Sequence, residues 1–525
     1  MDVVVVGGGF SGMYMLHKLR TSGYSVIVFE AGDGIGGTWY WNRYPGARCD
    51  IQSMEYSYQF SDELAQDWEW TERYATQPEI LRYIEHVAER FDLMKDVQLN
   101  TRVGRTEFDE GTNRWQVTTD QGDAVDAKYL VMATGCLSST NYPQIDGLES
   151  FSGACYHTGK WPHEGVDFSG KRVAVVGTGS SGIQSIPIIA AECDELTVFQ
   201  RTPNFSIPAH NQPLDPGFVA KIKGRYRAFR DENRLTAFHA DFDYNEENAL
   251  DVDPAHRTNE YERRWAKGGI SFMAAFADLM FDKNANATAK EFLHDKIDEI
   301  VRDPDLAAKL KPDGVVGCKR LCVDTDYFAT FNRDNVSLVD INETPIRKIT
   351  ANGVEIDEGV CDVDIIVFAT GFDAMTGALT RVDIRGRGGE RFSESWAEGP
   401  KSFLGLGVQG FPNMFIITGP GSPSVLTNML PSIEHHVDWI GDCISYLEER
   451  GVARIEAKAD AQEDWVAHVN EVGDTSVYPQ CNSWYLGSNV PGKSRVFLPY
   501  LGFPPYAEKC AEVANNDYEG FELSA

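Results

Sequence analysis

Positive charge is scarce in this sequence, in which 48 lysines and arginines stand against 79 aspartates and glutamates and the formal net charge is −31. A surface this acidic repels phosphate backbones and anionic membranes, so we expect neither a nucleic acid nor a membrane as a partner. Any site for an anionic cofactor must therefore collect its cations locally.

Two further absences narrow the class of protein. The ten cysteines include no C-x-x-C pair, which argues against a metal site and against a flavin disulfide reductase. We expect reduced, mostly buried thiols in a cytoplasmic protein. No apolar run reaches the length of a membrane span, and the start, MDVVVVGGG, lacks the basic and long apolar regions of a secretion signal.

The pattern G-x-G-x-x-G occurs four times, and in two cases it lies between an apolar strand and a helical stripe. Glycines in that context let the backbone approach a pyrophosphate, whose charge the helix N-terminus stabilises. We therefore predict an α/β fold with two Rossmann-like dinucleotide-binding domains. The glycines concerned are Gly7, Gly9 and Gly12 in the first unit, and Gly177, Gly179 and Gly182 in the second.

The residue that closes the second strand of each unit distinguishes the two cofactors. Glu30 in the first unit suits the ribose hydroxyls of FAD or NAD. The same offset in the second unit falls on Gln200, followed by Arg201, whose guanidinium favours the 2′-phosphate of NADPH. Two unlike sites indicate a flavoprotein in which NADPH reduces FAD.

The two nucleotide units define the expected domain boundaries in the rest of the chain. Residues from about 213 to 311 are charged and helical in their spacing, which predicts a helical insertion in the NADP-binding domain. We expect the FAD-binding domain in residues 1–140 and 373–525, the latter with substrate-pocket loops. The NADP-binding domain is expected in residues 150–210 and 316–372, with the insertion in residues 211–315.

Two longer motifs narrow the reaction. Residues 151–162 match F-x-G-x-x-x-H-x-x-x-W-P, and residues 36–50 match G-G-x-W-x-x-x-x-Y-P-G-x-x-x-D. The fixed positions that we single out are Phe151, Gly153, His157, Trp161 and Pro162 in the first, and Gly37, Thr38, Trp39 and Asp50 in the second.

With these motifs the chain resembles the type I Baeyer–Villiger monooxygenases, and within them the phenylacetone and steroid monooxygenases, whose loop length residues 419–429 share. The resemblance implies an enzyme that uses FAD, NADPH and O₂ to convert aryl, cyclic or bulky, steroid-like ketones to esters or lactones through a peroxide at the flavin C4a. Residues 502–505, Gly-Phe-Pro-Pro, depart from the family pattern, and we interpret them as a stiffened loop.

The resemblance also assigns roles to single residues. Arg320 is implied as the catalytic arginine and Asp50 as the acid that holds its fork. Lys319 is implied as the partner of Arg201 at the NADPH phosphate, with Ser180 and Thr202 as neighbouring NADPH-binding residues. Trp484 matches a tryptophan that closes over NADP and substrate, and the pocket is expected at Ser424, Leu426 and Met429. His157 is expected to order the linker between the cofactor domains.

Two other functions compete with this reading. A flavin monooxygenase that oxidises nitrogen or sulfur would share both nucleotide units but needs Arg320 less. A non-catalytic flavoprotein that senses NADPH would not need the pair of Asp50 and Arg320. The sequence leaves the physiological ketone and the oligomeric state, a monomer included, open.

Overall fold

A computed structural model describes residues 1–488, 490, 492–493 and 495–525. Its first layer is a five-stranded parallel sheet, in which the first strand of the chain, Val3–Val6, lies at the centre. The edge strand beside Tyr129–Met132 is Met414–Ile416, which comes from late in the chain. Both ends of the sequence therefore build one sheet. Its order is Met414–Ile416, Tyr129–Met132, Val3–Val6, Val26–Phe29 and Val97–Gln98.

A second five-stranded parallel sheet repeats the plan. Arg172–Val176 lies at its centre, between Glu195–Gln200 and Ile365–Phe368. The family-pattern segment supplies the edge strand Ala154–His157, which pairs with Ile365–Phe368. The interior strands Val3–Val6 and Ile365–Phe368 are buried on both faces, which explains why both are uninterrupted apolar runs. The order is Val336–Asp340, Glu195–Gln200, Arg172–Val176, Ile365–Phe368 and Ala154–His157. These two sheets confirm the predicted α/β class.

Smaller sheets decorate these layers. A four-stranded sheet consists of Asp383–Arg385, Val103–Asp109, Arg114–Thr119 and Ala124–Ala127, and a three-stranded one of Lys348–Thr350, Gly353–Ile356 and Gly359–Asp362. Ser206–Pro208 pairs in parallel with Cys322–Asp324, and Arg454–Ala457 pairs antiparallel with Phe521–Ser524.

A helix follows the glycine turn of each nucleotide unit, Phe10–Thr21 in the first and Ser180–Glu192 in the second. The long helix Met429–Glu449 packs on Phe10–Thr21, where Asp438 accepts a 2.8 Å hydrogen bond from Tyr14 and lies 3.3 Å from Lys18. Outside residues 211–315, the other helices of six or more residues are Asp62–Asp67, Gln77–Arg90, Ala459–Asp474 and Phe503–Asn515.

The segment of residues 211–315 lies between the strands Ser206–Pro208 and Cys322–Asp324 and is mainly helical. Its helices are Pro216–Lys223, Tyr226–Arg234, Pro254–Lys267, Lys283–Ile300 and Pro304–Leu310. It does not pack on the second sheet alone. Phe292 joins the large apolar cluster that includes the first sheet, while Ile297, on the same helix, joins the cluster of the second. The insertion therefore ties the two nucleotide units together.

The C-terminal part differs from the prediction of loops. Met429–Glu449 and Ala459–Asp474 are long helices there, and Pro504 and Pro505 lie in the first turn of the helix Phe503–Asn515 rather than in a loop. Proline fits a first helical turn because the N–H it lacks would have no partner in the helix. Among the described residues, no helix is both long enough and apolar enough to cross a membrane.

Gly182→Ala tests the close packing of the second unit. An added Cβ would lie 2.3 Å from the Gly177 carbonyl oxygen, so the turn must shift at a cost of about 1–3 kcal/mol. We expect weaker NADP⁺ binding, by about tenfold, with FAD content unchanged. Titration of NADP⁺ and the bound flavin spectrum measure these. Gly104→Ala is the control, since nothing lies within 4 Å of its added Cβ. Unaltered NADP⁺ affinity of the Gly182 variant would contradict the account.

Candidate active site

The first glycine turn is too tight for any side chain. Gly7 has φ +110°, and a Cβ there would lie 2.6 Å from the Ala133 carbonyl oxygen. A Cβ on Gly12 would lie 1.9 Å from the Gly7 carbonyl oxygen. Only glycine allows the strand Val3–Val6 and the helix Phe10–Thr21 to lie this close together. The N-terminus of the helix, capped by Gly9, therefore has no side chain in front of it.

Glu30 is fixed at the end of the second strand. Its side chain is buried, and its two oxygens accept hydrogen bonds from the backbone N–H groups of Gly8, at 2.6 Å, and Gly32, at 2.8 Å. A carboxylate has about four acceptor positions, so two remain for ribose hydroxyls. The residues present therefore fit an FAD ribose.

The second motif lies directly against this turn. Gly36 donates its N–H to the Gly8 carbonyl at 2.9 Å, and Gly37 lies so close to Gly9 that a Cβ on Gly9 would be 3.3 Å from its Cα. Thr38 begins the short helix Thr38–Trp41, in which Trp39 is buried and donates to the Tyr56 hydroxyl at 3.0 Å. The motif thus leads the chain from the FAD turn towards Asp50.

The second glycine turn has the same close packing but one open position. A Cβ on Gly177 would lie 2.5 Å from the Ala369 carbonyl oxygen, whereas one on Gly179 would meet nothing within 4 Å. Gly179 caps the helix that begins at Ser180, whose hydroxyl lies 3.4 Å from the Cys322 sulfur. Space in front of a helix N-terminus is what a pyrophosphate needs.

A cleft of about 720 Å³ beside this turn is lined by several lysine and arginine side chains. Two of its lysines are neutralised, since Lys309 pairs with Glu343 at 2.9 Å and Lys311 with Asp298 at 2.6 Å. Arg201 and Lys319 have no carboxylate within 4 Å in the part of the chain that the structure describes. Four residues that the sequence analysis singles out line this cleft, namely Arg201, Thr202, Lys319 and Arg320.

Lys319 and Arg201 influence each other electrostatically. Burial, and then the Arg201 guanidinium, lower the pKa of the Lys319 ammonium. Two cations held together without a counterion favour a multiply charged anion between them. The arrangement fits the 2′-phosphate of NADPH, and it supplies the local positive charge that a protein of net charge −31 requires.

Arg320 is held by bonds from three directions. Its Nη2 donates to Asp50 Oδ1 at 2.9 Å, its Nε donates to the other carboxylate oxygen, and its Nη1 donates to the Val425 carbonyl at 2.8 Å. The Phe238 ring lies under the guanidinium, with its centroid 5.5 Å away. Burial lowers the pKa of Arg320, but the Asp50 carboxylate outweighs this and raises it. The side chain therefore stays charged.

The expected pocket residues lie on the segment that contacts Arg320. Ser424–Leu426 forms a single helical turn, in which Ser424 is buried and its hydroxyl points to the Met375 sulfur at 3.7 Å. Leu426 is buried, and Met429, at the start of the long helix, is half-buried. The Arg320–Val425 bond thus connects the guanidinium to an apolar wall.

His157 is fully buried. Its Nδ1 accepts the Gly159 N–H at 3.0 Å, and its Nε2 lies 3.3 Å from the Thr370 hydroxyl. Burial lowers its pKa to about 4, so the ring is neutral at pH 7. It connects the Phe151–Pro162 motif to the turn after Ile365–Phe368 and lies away from the cleft.

The other residues singled out in the Phe151–Pro162 motif make packing contacts. A Cβ on Gly153 would lie 2.3 Å from the Asp364 carbonyl oxygen. Phe151 packs on the apolar face formed with Val354, and buried Trp161 lies beside Phe168. Pro162 follows Trp161 at the end of the motif and is partly exposed.

Trp484 lies in the turn Trp484–Leu486, and its ring centroid is 4.2 Å from that of the buried Tyr485, with the two rings tilted. The Tyr485 phenol interacts with the Arg320 guanidinium. The same segment corrects the expectation of free thiols, because Cys481 forms a disulfide with Cys318. The other eight cysteines are unpaired. Sequence spacing holds no signal for a pair 163 residues apart.

Sequence reasoning also missed three contacts of Arg320. These are the Val425 carbonyl, the Phe238 ring and the Tyr485 phenol. A backbone carbonyl carries no sequence signal, and Phe238 belongs to the insertion, whose packing is visible only in three dimensions. Tyr485 follows Trp484 directly, so proximity to a singled-out residue was the available clue.

Similar proteins are known over nearly the full length of this chain. Residues 4–238 match the family described as pyridine nucleotide-disulphide oxidoreductase. A phenazine N-monooxygenase of Lysobacter antibioticus is 42% identical over 99% of this chain and 97% of its own length. A Baeyer–Villiger monooxygenase of Pseudooceanicola batsensis is 40% identical over 98% of this chain and 95% of its own length.

A solved structure covers the whole chain. An oxidised steroid monooxygenase bound to NADP superposes with a TM-score of 0.95 and is 51% identical, over 100% of this chain and 99% of its own. At that identity the likeness extends beyond the fold to the family.

Arg201→Ala tests the phosphate site. Losing a charge-assisted contact to the 2′-phosphate should raise the KM for NADPH about tenfold or more. The KM for NADH, which lacks that phosphate, should change less than about twofold. Steady-state kinetics with both cofactors measure this. Arg333→Ala is the control, because Arg333 is an exposed arginine of the same sheet region outside the cleft. An equal rise in both KM values would exclude the assignment.

Proposed function

Because the chain belongs to the family of Baeyer–Villiger monooxygenases, flavoproteins that use FAD and NADPH to oxidise ketones, we propose that Arg320 is its catalytic arginine and Asp50 the residue that positions it. The bidentate contact between these two side chains is the observation that carries the proposal. Ketones become esters or lactones in this reaction, with O₂ as the source of the inserted oxygen.

The two nucleotide units would hold the cofactors. The turn of Gly7, Gly9 and Gly12, with Glu30 at the ribose, suits FAD. The turn of Gly177, Gly179 and Gly182, with Arg201 and Lys319 at the phosphate, suits NADPH. When bound, FAD accepts the hydride of NADPH and activates O₂, and this chemistry belongs to the cofactors.

Arg320 contributes electrostatics. Attack on a ketone carbonyl leaves negative charge on the carbonyl oxygen, and a fixed cation in a site with little water stabilises it. Arg320 meets this need because its Nη atoms keep free N–H groups after the contacts with Asp50 and Val425. Its charge does not depend on pH in the working range, since Asp50 raises its pKa.

Asp50 acts through Arg320. It occupies one side of the guanidinium fork with two oxygens, which fixes the plane of the group before a substrate arrives. Preorganisation of this kind lowers the cost of reorientation during the reaction. Trp484, half-buried beside Tyr485, would cover the cofactor and substrate from the C-terminal segment.

The residues around Arg320 support a class of substrate. Leu426, Met429 and Phe238 are apolar and lie around the segment that Arg320 contacts. Apolar walls with one fixed cation suit a ketone flanked by hydrocarbon, which an aryl, cyclic or steroid-like ketone provides. The likeness to a steroid monooxygenase supports the bulky end of this range.

Oxidation of an aromatic nitrogen is the second candidate, because a phenazine N-monooxygenase is among the similar relatives. A panel of aryl, cyclic and steroid ketones together with phenazine separates the two, with products identified by mass after incubation with NADPH and O₂. Esters or lactones support the proposal. N-oxides without any ester would contradict it.

Arg320→Ala should reduce ketone oxidation by about a hundredfold or more, because the developing oxyanion loses its fixed cation. NADPH should still reduce the flavin, which absorbance at single turnover measures. Arg347→Ala is the matched control: Arg347 makes a bidentate pair with Asp357 on an exposed hairpin. That variant should retain activity within about twofold. Full ester formation by the Arg320 variant would remove it from the reaction.

A further inference from the structure

The Cys318–Cys481 disulfide lies at the site that the reaction uses. Cys318 is two residues before Arg320 and lines the cation-rich cleft, while Cys481 is three residues before Trp484. The bond therefore joins the segment that carries Lys319 and Arg320 to the segment that carries Trp484. These segments are 163 residues apart in sequence, and their Cα atoms at the bond are 6.2 Å apart.

The position allows exchange with small redox reagents. Both cysteines are largely buried, with 4% and 7% of their surfaces exposed, so bulky proteins do not reach them. Cys318 nevertheless borders the open cleft, through which a small oxidant or dithiol can approach. Cys322, four residues on, lies beside Ser180 and takes no part in the bond.

Non-covalent contacts hold the C-terminal segment independently of the bond. The Val477 N–H donates to the Met280 carbonyl at 2.9 Å, and the Leu498 N–H donates to the Tyr485 carbonyl at 2.9 Å. Tyr485 also faces Arg320. Reduction of the disulfide therefore leaves the C-terminal segment in place but removes its one covalent tie to the cleft wall.

We propose that Cys318 and Cys481 are a reversible redox modification site that sets how firmly the Lys319–Arg320 wall is held at the NADPH cleft. Oxidation by hydrogen peroxide takes two protons and two electrons from the thiols, forms the S–S bond and breaks the O–O bond to give two waters. A dithiol reverses the step by exchange through a mixed disulfide.

The Cys318–Cys481 bond restricts the motion of the adjacent Lys319 before the cofactor phosphate binds. With the bond formed, less conformational freedom is lost when the anion binds, and with the bond broken that cost reappears. Because NADPH is the ligand of this cleft under the proposed function, reduction should weaken NADP⁺ binding by about three- to tenfold.

The test compares purified FAD-loaded protein after hydrogen peroxide and after dithiothreitol, with the reagents removed before measurement. Thiols counted after unfolding should number eight in the oxidised protein, as the disulfide leaves eight free cysteines, and all ten when reduced. The Kd for NADP⁺ should rise on reduction and return on re-oxidation. Ten thiols after peroxide, or equal Kd values in both states, would overturn the proposal, the latter by making the bond purely structural.

Two variants sharpen the comparison. Cys481→Ser should show the reduced-state Kd under both treatments, and Cys361→Ser, which removes an unpaired, partly exposed thiol on a distant hairpin, should respond as the unmodified chain does. If Cys481→Ser does not fold, the two redox states of the unmodified chain still decide. Neither thiol counts nor NADP⁺ binding needs a ketone, so a failure to form esters would refute the proposed function separately.

Discussion

The ion pair between Asp50 and Arg320 joins two points 270 residues apart in the chain. Asp50 ends the motif that lies against the FAD turn. Arg320 precedes the strand Cys322–Asp324, which pairs with Ser206–Pro208, the strand that follows the second nucleotide unit in sequence. The pair forms only when both parallel sheets are in place and correctly juxtaposed. Desolvating two charges is costly, and the bidentate geometry together with the Val425 carbonyl offsets that cost. The helical insertion supports the juxtaposition by contributing side chains to the apolar clusters of both sheets.

Because the net charge is −31, binding an anionic cofactor depends on where the few unpaired basic side chains lie. Most basic side chains near the cleft are neutralised by a carboxylate, as Lys309 and Lys311 are. Arg201 and Lys319 are the described exceptions along its wall, and burial, followed by repulsion from Arg201, lowers the pKa of Lys319. That repulsion is the cost of a site prepared for an anion, and binding of the anion relieves it.

The sequence predicts the parts of this molecule that local chemistry dictates. Glycine turns between buried strands and helices are visible because only glycine fits there, as at Gly12. The roles of Asp50 and Arg320 come from family resemblance, since no local pattern pairs residues so far apart. The helix Met429–Glu449 was missed because Pro431 and Gly441 interrupt its pattern and its stability comes from packing on Phe10–Thr21. The disulfide and the Val425 carbonyl contact depend on tertiary structure alone.

A double-mutant cycle on kcat/KM for the ketone, with Asp50→Ala, Arg320→Ala and the double variant, tests most directly whether Asp50 works through Arg320. If it does, Asp50→Ala costs about tenfold or more in the otherwise unmodified chain but less than about threefold in the Arg320→Ala background. Losses that multiply, with the full cost of Asp50→Ala retained when Arg320 is absent, would show that the two residues act independently and would contradict the account.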